Sequence, residues 1–311
     1  MPGEEYRQLL PYLPPALRRE FAALPEGSLS GLEEVRLRPE LPLLLRFDGR
    51  ELFLSRSGGL TEAVRDARLL AREELKKTML LLSDSSVYAF EEELRRGYIT
   101  LPGGHRAGFA GRAVLEKGAV RTLKDISSVN LRLARALPGV GAPVLARLPQ
   151  TDGRLPSTLL IAPPRAGKTT ILRDMVRLLS DGIGVRPRRV GLADERSELA
   201  AMRDGLPQLD VGLRTDVVDG CPKAEAMELL LRSLSPEVLV TDELGREEDG
   251  RAVAEAAMSG VSVLATAHAR DQAEARSRPL LGRLIKEGFF TYMVVLSRRH
   301  GPGTLEEVVK A

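Results

Sequence analysis

The chain has 311 residues and a mass of 33.9 kDa, about twice the length of a common single domain, so two domains and a sizeable apolar core are expected. With 43% apolar and 29% charged residues and a mean hydropathy of -0.11, the composition excludes a disordered chain, and the apolar runs of about six to eight residues fall short of the ~18 needed to cross a bilayer. The net charge of +3 comes almost entirely from residues 101–150, where eight Lys and Arg stand against Glu116 and Asp125, and any anionic partner is sought there. A single cysteine, Cys221, excludes an internal disulfide. His105, His268 and His300 stand at no zinc-binding spacing with it. The start Met1-Pro-Gly-Glu-Glu carries no basic and apolar leader, so a cytoplasmic protein is expected.

The amino-terminal half mixes strand and helix signals. Val35–Arg38, Leu41–Phe47 and Glu51–Leu54 read as short strands, the last two joined by an Asp48-Gly49 hairpin turn. A helical stretch opening at Thr61 is expected, and Leu75, Met79 and Leu82 recur at helical spacing. A helix through Glu91–Arg96 ends at Gly97, followed by strand, glycine-rich turn and strand over Tyr98–Leu115. Residues 1–137 are therefore read as an α+β domain. The Pro- and Gly-rich stretch 138–157 is read as a linker with one helical turn at Val144–Leu148.

From residue 158 the rhythm becomes apolar strand, loop, helix. Strands are predicted at Thr158–Ile161, Arg189–Ala193, Val238–Thr241, Val261–Thr266 and Tyr292–Leu296, and helices at Lys168–Leu179, Lys223–Leu234, Glu248–Met258 and Gln272–Glu287. Pro222 falls where the first helical position of the second helix is expected. Such alternation implies a parallel sheet covered by helices, an α/β domain over 158–311.

Directly between the first strand and helix of this domain lies Ala162-Pro-Pro-Arg-Ala-Gly-Lys-Thr-Thr170, a Walker A loop in the strand–loop–helix setting its chemistry requires. Amides of Arg165, Ala166, Gly167, Lys168, Thr169 and Thr170 at a helix start face phosphates. Lys168 reaches the terminal phosphates, and the Thr169 hydroxyl binds Mg²⁺. The opening glycine of the motif is replaced by Ala162, which gives up backbone freedom at that point. The strand Glu237–Thr241 ends in Asp242-Glu243, placing Asp242 near the metal and Glu243 where it can activate water. Asp194-Glu195 ends another strand at the same edge, so Glu195 rivals Glu243 as base. His268 closes a further strand, where it or Thr266 can meet the γ-phosphate; His105 and His300 receive no role.

With these blocks in place the chain resembles the stage III sporulation protein AA family, RecA-like relatives of the type II and type IV secretion ATPases. The matching segments include Glu34–Pro39, Gly104–Arg112, Asp125–Arg132, the P-loop, Asp194–Glu198, Asp216–Glu225, Arg232–Gly245 and Ala265–His268. The resemblance implies a RecA-like P-loop NTPase domain with a smaller amino-terminal α+β domain. It further implies an ATP- and Mg²⁺-dependent ATPase, a hexameric ring, and membrane-embedded channel partners between mother cell and forespore that hold it peripherally at the membrane. It makes Asp194–Glu195 an acidic box and His268 a histidine box, and it makes Arg106, Arg112 and Arg132 candidates for arginines that reach the nucleotide from the amino-terminal side. Two rivals stand beside this reading. One is a nucleic-acid-associated P-loop motor using the basic 101–150 segment, which only Phe109 equips for base stacking; the other is a nucleotide-binding scaffold that hydrolyses weakly.

Overall fold

A computed structural model describes residues 5–47, 49–83, 87–149 and 153–311. Asp48 of the expected turn, residues 150–152 of the expected linker and the first four residues of the chain lie outside these. The chain divides into two compact units, Met1–Arg135 and Ala136–Ala311.

The first unit is built on an antiparallel sheet of β1 (Leu32–Leu37), β2 (Leu44–Phe47), β3 (Arg50–Leu54), β4 (Leu60–Thr61), β5 (Tyr98–Thr100), β6 (Arg106–Glu116) and β7 (Ala119–Arg132), in the order β4-β3-β2-β1-β7-β6-β5. The register Phe47↔Arg50 leaves two residues for the turn between β2 and β3, and Gly49 takes the positive φ of 78° that such a turn demands. Lys117 and Gly118, with φ of 50° and 81°, close the β6–β7 hairpin in the same way. The helices are α1 (Pro15–Ala22), α2 (Arg72–Leu82) and α3 (Val87–Arg96), the last ending at Gly97 with φ 83°. Thr61 belongs to β4 and opens no helix; its hydroxyl accepts from Ala63 N, a local bond that competes with a helical turn. Leu17, Leu37, Leu43, Leu45, Leu101 and Leu131 fill the core.

His105, given no role by the sequence, is buried in this unit as a structural pin. Its Nδ1 accepts from Ala134 N at 3.0 Å, which leaves the proton on Nε2 for Gln8 Oε1, also at 3.0 Å. Burial holds the imidazole pKa below its ordinary value against the pull of Glu5.

The second unit carries α4 (Ala142–Arg147) and β8 (Thr158–Ala162), followed by α5 (Lys168–Asp181), β9 (Val190–Asp194), the small β10 (Met202–Arg203) and β11 (Leu206–Pro207) hairpin, and β12 (Thr215–Asp219). After these come α6 (Lys223–Leu234), β13 (Val238–Thr241), α7 (Glu247–Met258), β14 (Ser262–His268), α8 (Gln272–Ser277), α9 (Pro279–Lys286), β15 (Tyr292–Ser297) and β16 (Thr304–Lys310). The main sheet runs β12-β9-β13-β14-β8-β15-β16, parallel except for β16. β8, β9 and β13 are buried at every residue, which accords with their largely apolar sequences, the Asp194 that ends β9 apart. One core lies against α4 and α5, the other against α6, α7, α8 and α9.

The second unit departs from the sequence expectations at several points. The single helix expected over Gln272–Glu287 is two, because Pro279 has no N–H and pushes Arg278 into extended backbone with φ -77° and ψ 128°. The edge strands β12 and β16 were not expected; half-buried and rich in Asp or Glu, they lack the apolar run that marks an inner strand. Within 138–157, Val144, Leu145, Leu148 and Leu155 are buried in the core of the second unit, and Gly141 N donates to Asp174 Oδ2 at 2.7 Å. No helix among the described residues is long and apolar enough to cross a membrane.

The depressed His105 pKa fixes a sign. The unfolded chain takes up the imidazole proton first, so this residue's contribution is present above about pH 6.5 and is lost as the pH falls below it. Thermal unfolding of the full chain between about pH 7.5 and about 5.5 is expected to show a smaller loss of stability in His105→Asn, whose Oδ1 replaces the Nδ1 acceptor without titrating.

Candidate functional site

The carboxyl ends of β8, β9, β13 and β14 meet at one edge of the parallel sheet, where open α/β sheets place ligands. β8 ends at Ala162, which does not have positive φ, so the backbone there asks for nothing that only glycine supplies. The loop that follows has Arg165 at φ 59° and Gly167 at φ 83°, and α5 begins at Lys168. The first N–H groups of α5 have no intrahelical acceptor; the bond from Ile171 N to Gly167 O, at 3.0 Å, is where the helical ladder begins. Arg165 is exposed, Ala166 is buried, and Thr169 and Thr170 are half-buried.

Two side chains from separate elements meet at the loop. The Thr169 hydroxyl donates to Asp242 Oδ2 at 2.7 Å, reaching from α5 across β14 to the end of β13. The other Asp242 oxygen accepts from the Thr266 hydroxyl of β14 and, at 3.0 Å, from Glu243 N. A hydroxyl and a carboxylate oxygen this close form a hard-oxygen pair of the kind that holds Mg²⁺ beside a phosphate chain.

A chain of polar contacts then runs through the site. Lys168 Nζ donates to Ala162 O at 3.2 Å, Pro163 O at 3.3 Å and His268 Nδ1 at 3.1 Å. An ammonium can only donate, so His268 carries its proton on Nε2, which lies 3.0 Å from Glu243 Oε1. The second Glu243 oxygen accepts from Arg196 Nη1 at 2.8 Å. Burial lowers the Lys168 pKa, opposed by the charges of Asp242 and Glu243. A buried ammonium so poorly solvated is poised for an anion.

Glu243 itself sits at φ 53°, a conformation that costs a non-glycine residue free energy and that recurs at functional sites. Its N–H also reaches Thr266 Oγ1 at 2.9 Å, and its carbonyl accepts from Lys223 Nζ at 2.8 Å. Glu195, the rival acid, pairs with the same Lys223 at 3.1 Å and with Arg246 at 3.8 Å. Asp194 is spent on the backbone: its carboxylate accepts from Glu198, Leu199 and Ala200 N at 2.8–3.0 Å, and burial raises its pKa despite those bonds. Arg173 of α5 clamps the same turn through Leu199 O at 2.7 Å and Glu198 O at 2.6 Å. The turn thereby presents Glu195 and Arg196 to the crevice.

The site thus gathers Lys168, Thr169, Asp242, Glu243, His268 and Glu195. The three arginine candidates belong to the first unit. Arg106 lies over the Tyr98 ring with its guanidinium 3.8 Å from the centroid and is the cross-strand neighbour of Arg132, which pairs with Glu34 at 3.3 Å. Arg112 pairs with Asp125 at 2.8 Å. Sequence reasoning gave no role to Arg196, Lys223 or Arg173. Lys223 did carry a signal: a lysine in the first turn of a helix opposes the helix dipole, so an acid must hold it there.

Against known proteins, the family model described as "Sporulation stage III, protein AA" matches residues 7–310. Stage III sporulation protein AA of Bacillus subtilis is 42% identical over 297 residues, covering 95% of this chain and 92% of the relative. Among solved structures, the Yersinia pseudotuberculosis ATPase DotB aligns with a TM-score of 0.54 at 14% identity, over 90% of this chain and 75% of its own. The pilus retraction motor PilT with bound ADP aligns with a TM-score of 0.52 at 17% identity, over 86% and 74%. The chain has the RecA-like P-loop fold of these ATPases.

The Asp194 geometry yields a stability test. Asp194→Ala leaves three amides, two of them buried, without an acceptor and is expected to lower stability by about 3 kcal/mol in urea unfolding. Asp194→Asn, which keeps one acceptor oxygen, is expected to lose less.

Proposed function

The chain belongs to the sporulation stage III protein AA family, and from that membership and the geometry of the P-loop edge we propose that it is a Mg²⁺-dependent ATPase. The observation that carries the reading is the 2.7 Å contact between the Thr169 hydroxyl and Asp242, beside a buried Lys168 at the start of α5. Residues 165–170 wrap the phosphates with backbone amides, and Lys168 leaves Ala162 O, Pro163 O and His268 to bind the terminal phosphate oxygens. Thr169 and Asp242 hold Mg²⁺, which when bound neutralises charge developing on the transferring phosphoryl group.

Glu243 orients and deprotonates the attacking water. It is favoured over Glu195 because it adjoins Asp242 and touches His268, which in turn touches Lys168; both acids are ion-paired, Glu243 with Arg196 and Glu195 with Lys223 and Arg246. Withdrawal of Lys168 toward phosphate removes the donor at His268 Nδ1 and frees that ring to report the γ-phosphate to Glu243. Arg106 and Arg132 are the arginines we assign to the nucleotide from the amino-terminal unit, 1–137 by the sequence reading, and hydrolysis drives motion between the two units.

The family relation supports a hexameric ring that is cytoplasmic and held at the membrane by partners forming a sporulation channel between mother cell and forespore. The solved relative PilT carries ADP, which accords with an adenine nucleotide as ligand.

Phosphate release by the purified full chain with ATP and Mg²⁺ tests the assignment. Lys168→Ala is expected to lose at least about 100-fold in turnover, and Glu243→Gln to retain ATP binding while losing turnover to a similar degree. Phosphate release unchanged in Lys168→Ala contradicts the proposal.

A further inference from the structure

The γ-phosphate end of the site is furnished by β13 and β14, which bring Asp242, Glu243 and His268. A nucleotide lying along the P-loop has its other end on the opposite flank of β8, where the neighbour is β15. β15 runs parallel to β8 with Val295 beside Ile161, so the residues after Ser297 emerge at the same edge as the P-loop. They form the tip of the β15–β16 hairpin, Arg298-Arg-His-Gly-Pro-Gly303.

That tip is docked on the P-loop itself. Gly303 N donates to Ala166 O at 2.9 Å, and a Cβ built on Gly167 would stand 3.0 Å from Gly303 N and 3.4 Å from the Pro302 carbonyl carbon. The approach is tight at Gly167, and the positive φ values of 83° and 87° favour glycine at both 167 and 303. It fixes the tip within reach of whatever the P-loop holds.

The chemistry of the tip fits the nucleoside half of a nucleotide. Arg298, Arg299 and His300 are exposed; Arg299 pairs with Glu306 at 3.8 Å, and among the described residues Arg298 forms no ion pair. Beyond residue 135 the aromatic residues are Phe289, Phe290 and Tyr292, all at the amino end of β15, the edge opposite the P-loop. Within this unit no aromatic ring lies at the P-loop edge to stack a planar base, and the hairpin tip supplies guanidinium and imidazole groups that can do so.

We infer that the tip of the β15–β16 hairpin is the nucleoside-binding wall of the site, with Arg298 and His300 contacting the base or ribose. This rests on the nucleotide reading proposed above. It assigns His300 a binding role that its sequence setting does not suggest.

Calorimetry on the full chain with ATP, ADP and inorganic tripolyphosphate, each with Mg²⁺, separates the two claims. The double variant Arg298→Ala/His300→Ala, altered only at exposed side chains, is expected to bind ATP and ADP about tenfold more weakly, with tripolyphosphate unchanged. Equal losses for all three ligands, or no loss for any, overturns the inference and leaves the P-loop reading standing. A wild-type chain that binds tripolyphosphate as tightly as ATP also overturns it. A wild-type chain that binds none of the three overturns the nucleotide reading itself.

Discussion

One hydrogen bond organises the functional edge of the second unit: the Thr169 hydroxyl to Asp242 at 2.7 Å. It joins the first turn of the helix that follows the P-loop to the end of β13, with β14 lying between β13 and the P-loop strand. β8, β14 and β13 run parallel and adjacent, with Thr241 beside Ala265 and His268 beside Ala162, so that all three deliver their carboxyl ends to the same edge of the sheet.

The charge arrangement around that point is self-contained in the structure described. Lys168 is held by two carbonyls and His268, and Glu243 by His268 and Arg196, so the cation and the carboxylate are bridged through one imidazole. A phosphate chain entering the P-loop competes for Lys168 and alters this bridge at its first member. The strained φ of Glu243 is sustained by bonds to its N–H, its carbonyl and both carboxylate oxygens, which makes the conformation responsive to any one of them. Two loops anchor the frame from outside: the 194–200 turn, fixed by Asp194 and Arg173, and the hairpin tip, fixed by Gly303 on Ala166.

Much of this could be read from the sequence because its signals are local. The P-loop, the inner strands β8, β13 and β14, and the acids at their ends are contiguous runs whose chemistry follows from position, and the structure gathers them at one edge. What stayed hidden depends on pairing across the fold. The strands β12 and β16 lie at sheet edges and carry acids, so they lack an apolar run; the break at Pro279 could have been read, since proline ends a helix at the residue before it. Asp194 and Glu195 are adjacent in sequence and look alike, yet one is consumed by backbone amides and the other faces Lys223, a division no spacing rule reveals. Arg196 is unremarkable until Glu243 is placed beside it. His105 shows the converse, a lone histidine whose work is to hold Gln8 and Ala134.

The central claim is that Thr169 and Asp242 share a divalent cation with a bound nucleotide. Mn²⁺ substituted for Mg²⁺ and followed by its electron paramagnetic resonance spectrum in the presence of ADP tests it most directly. The account predicts one protein-bound Mn²⁺ per chain, with a spectrum distinct from that of free Mn–ADP, lost in both Thr169→Val and Asp242→Asn. A spectrum in the wild-type protein identical to that of Mn–ADP in solution, or a bound signal untouched by either substitution, contradicts it.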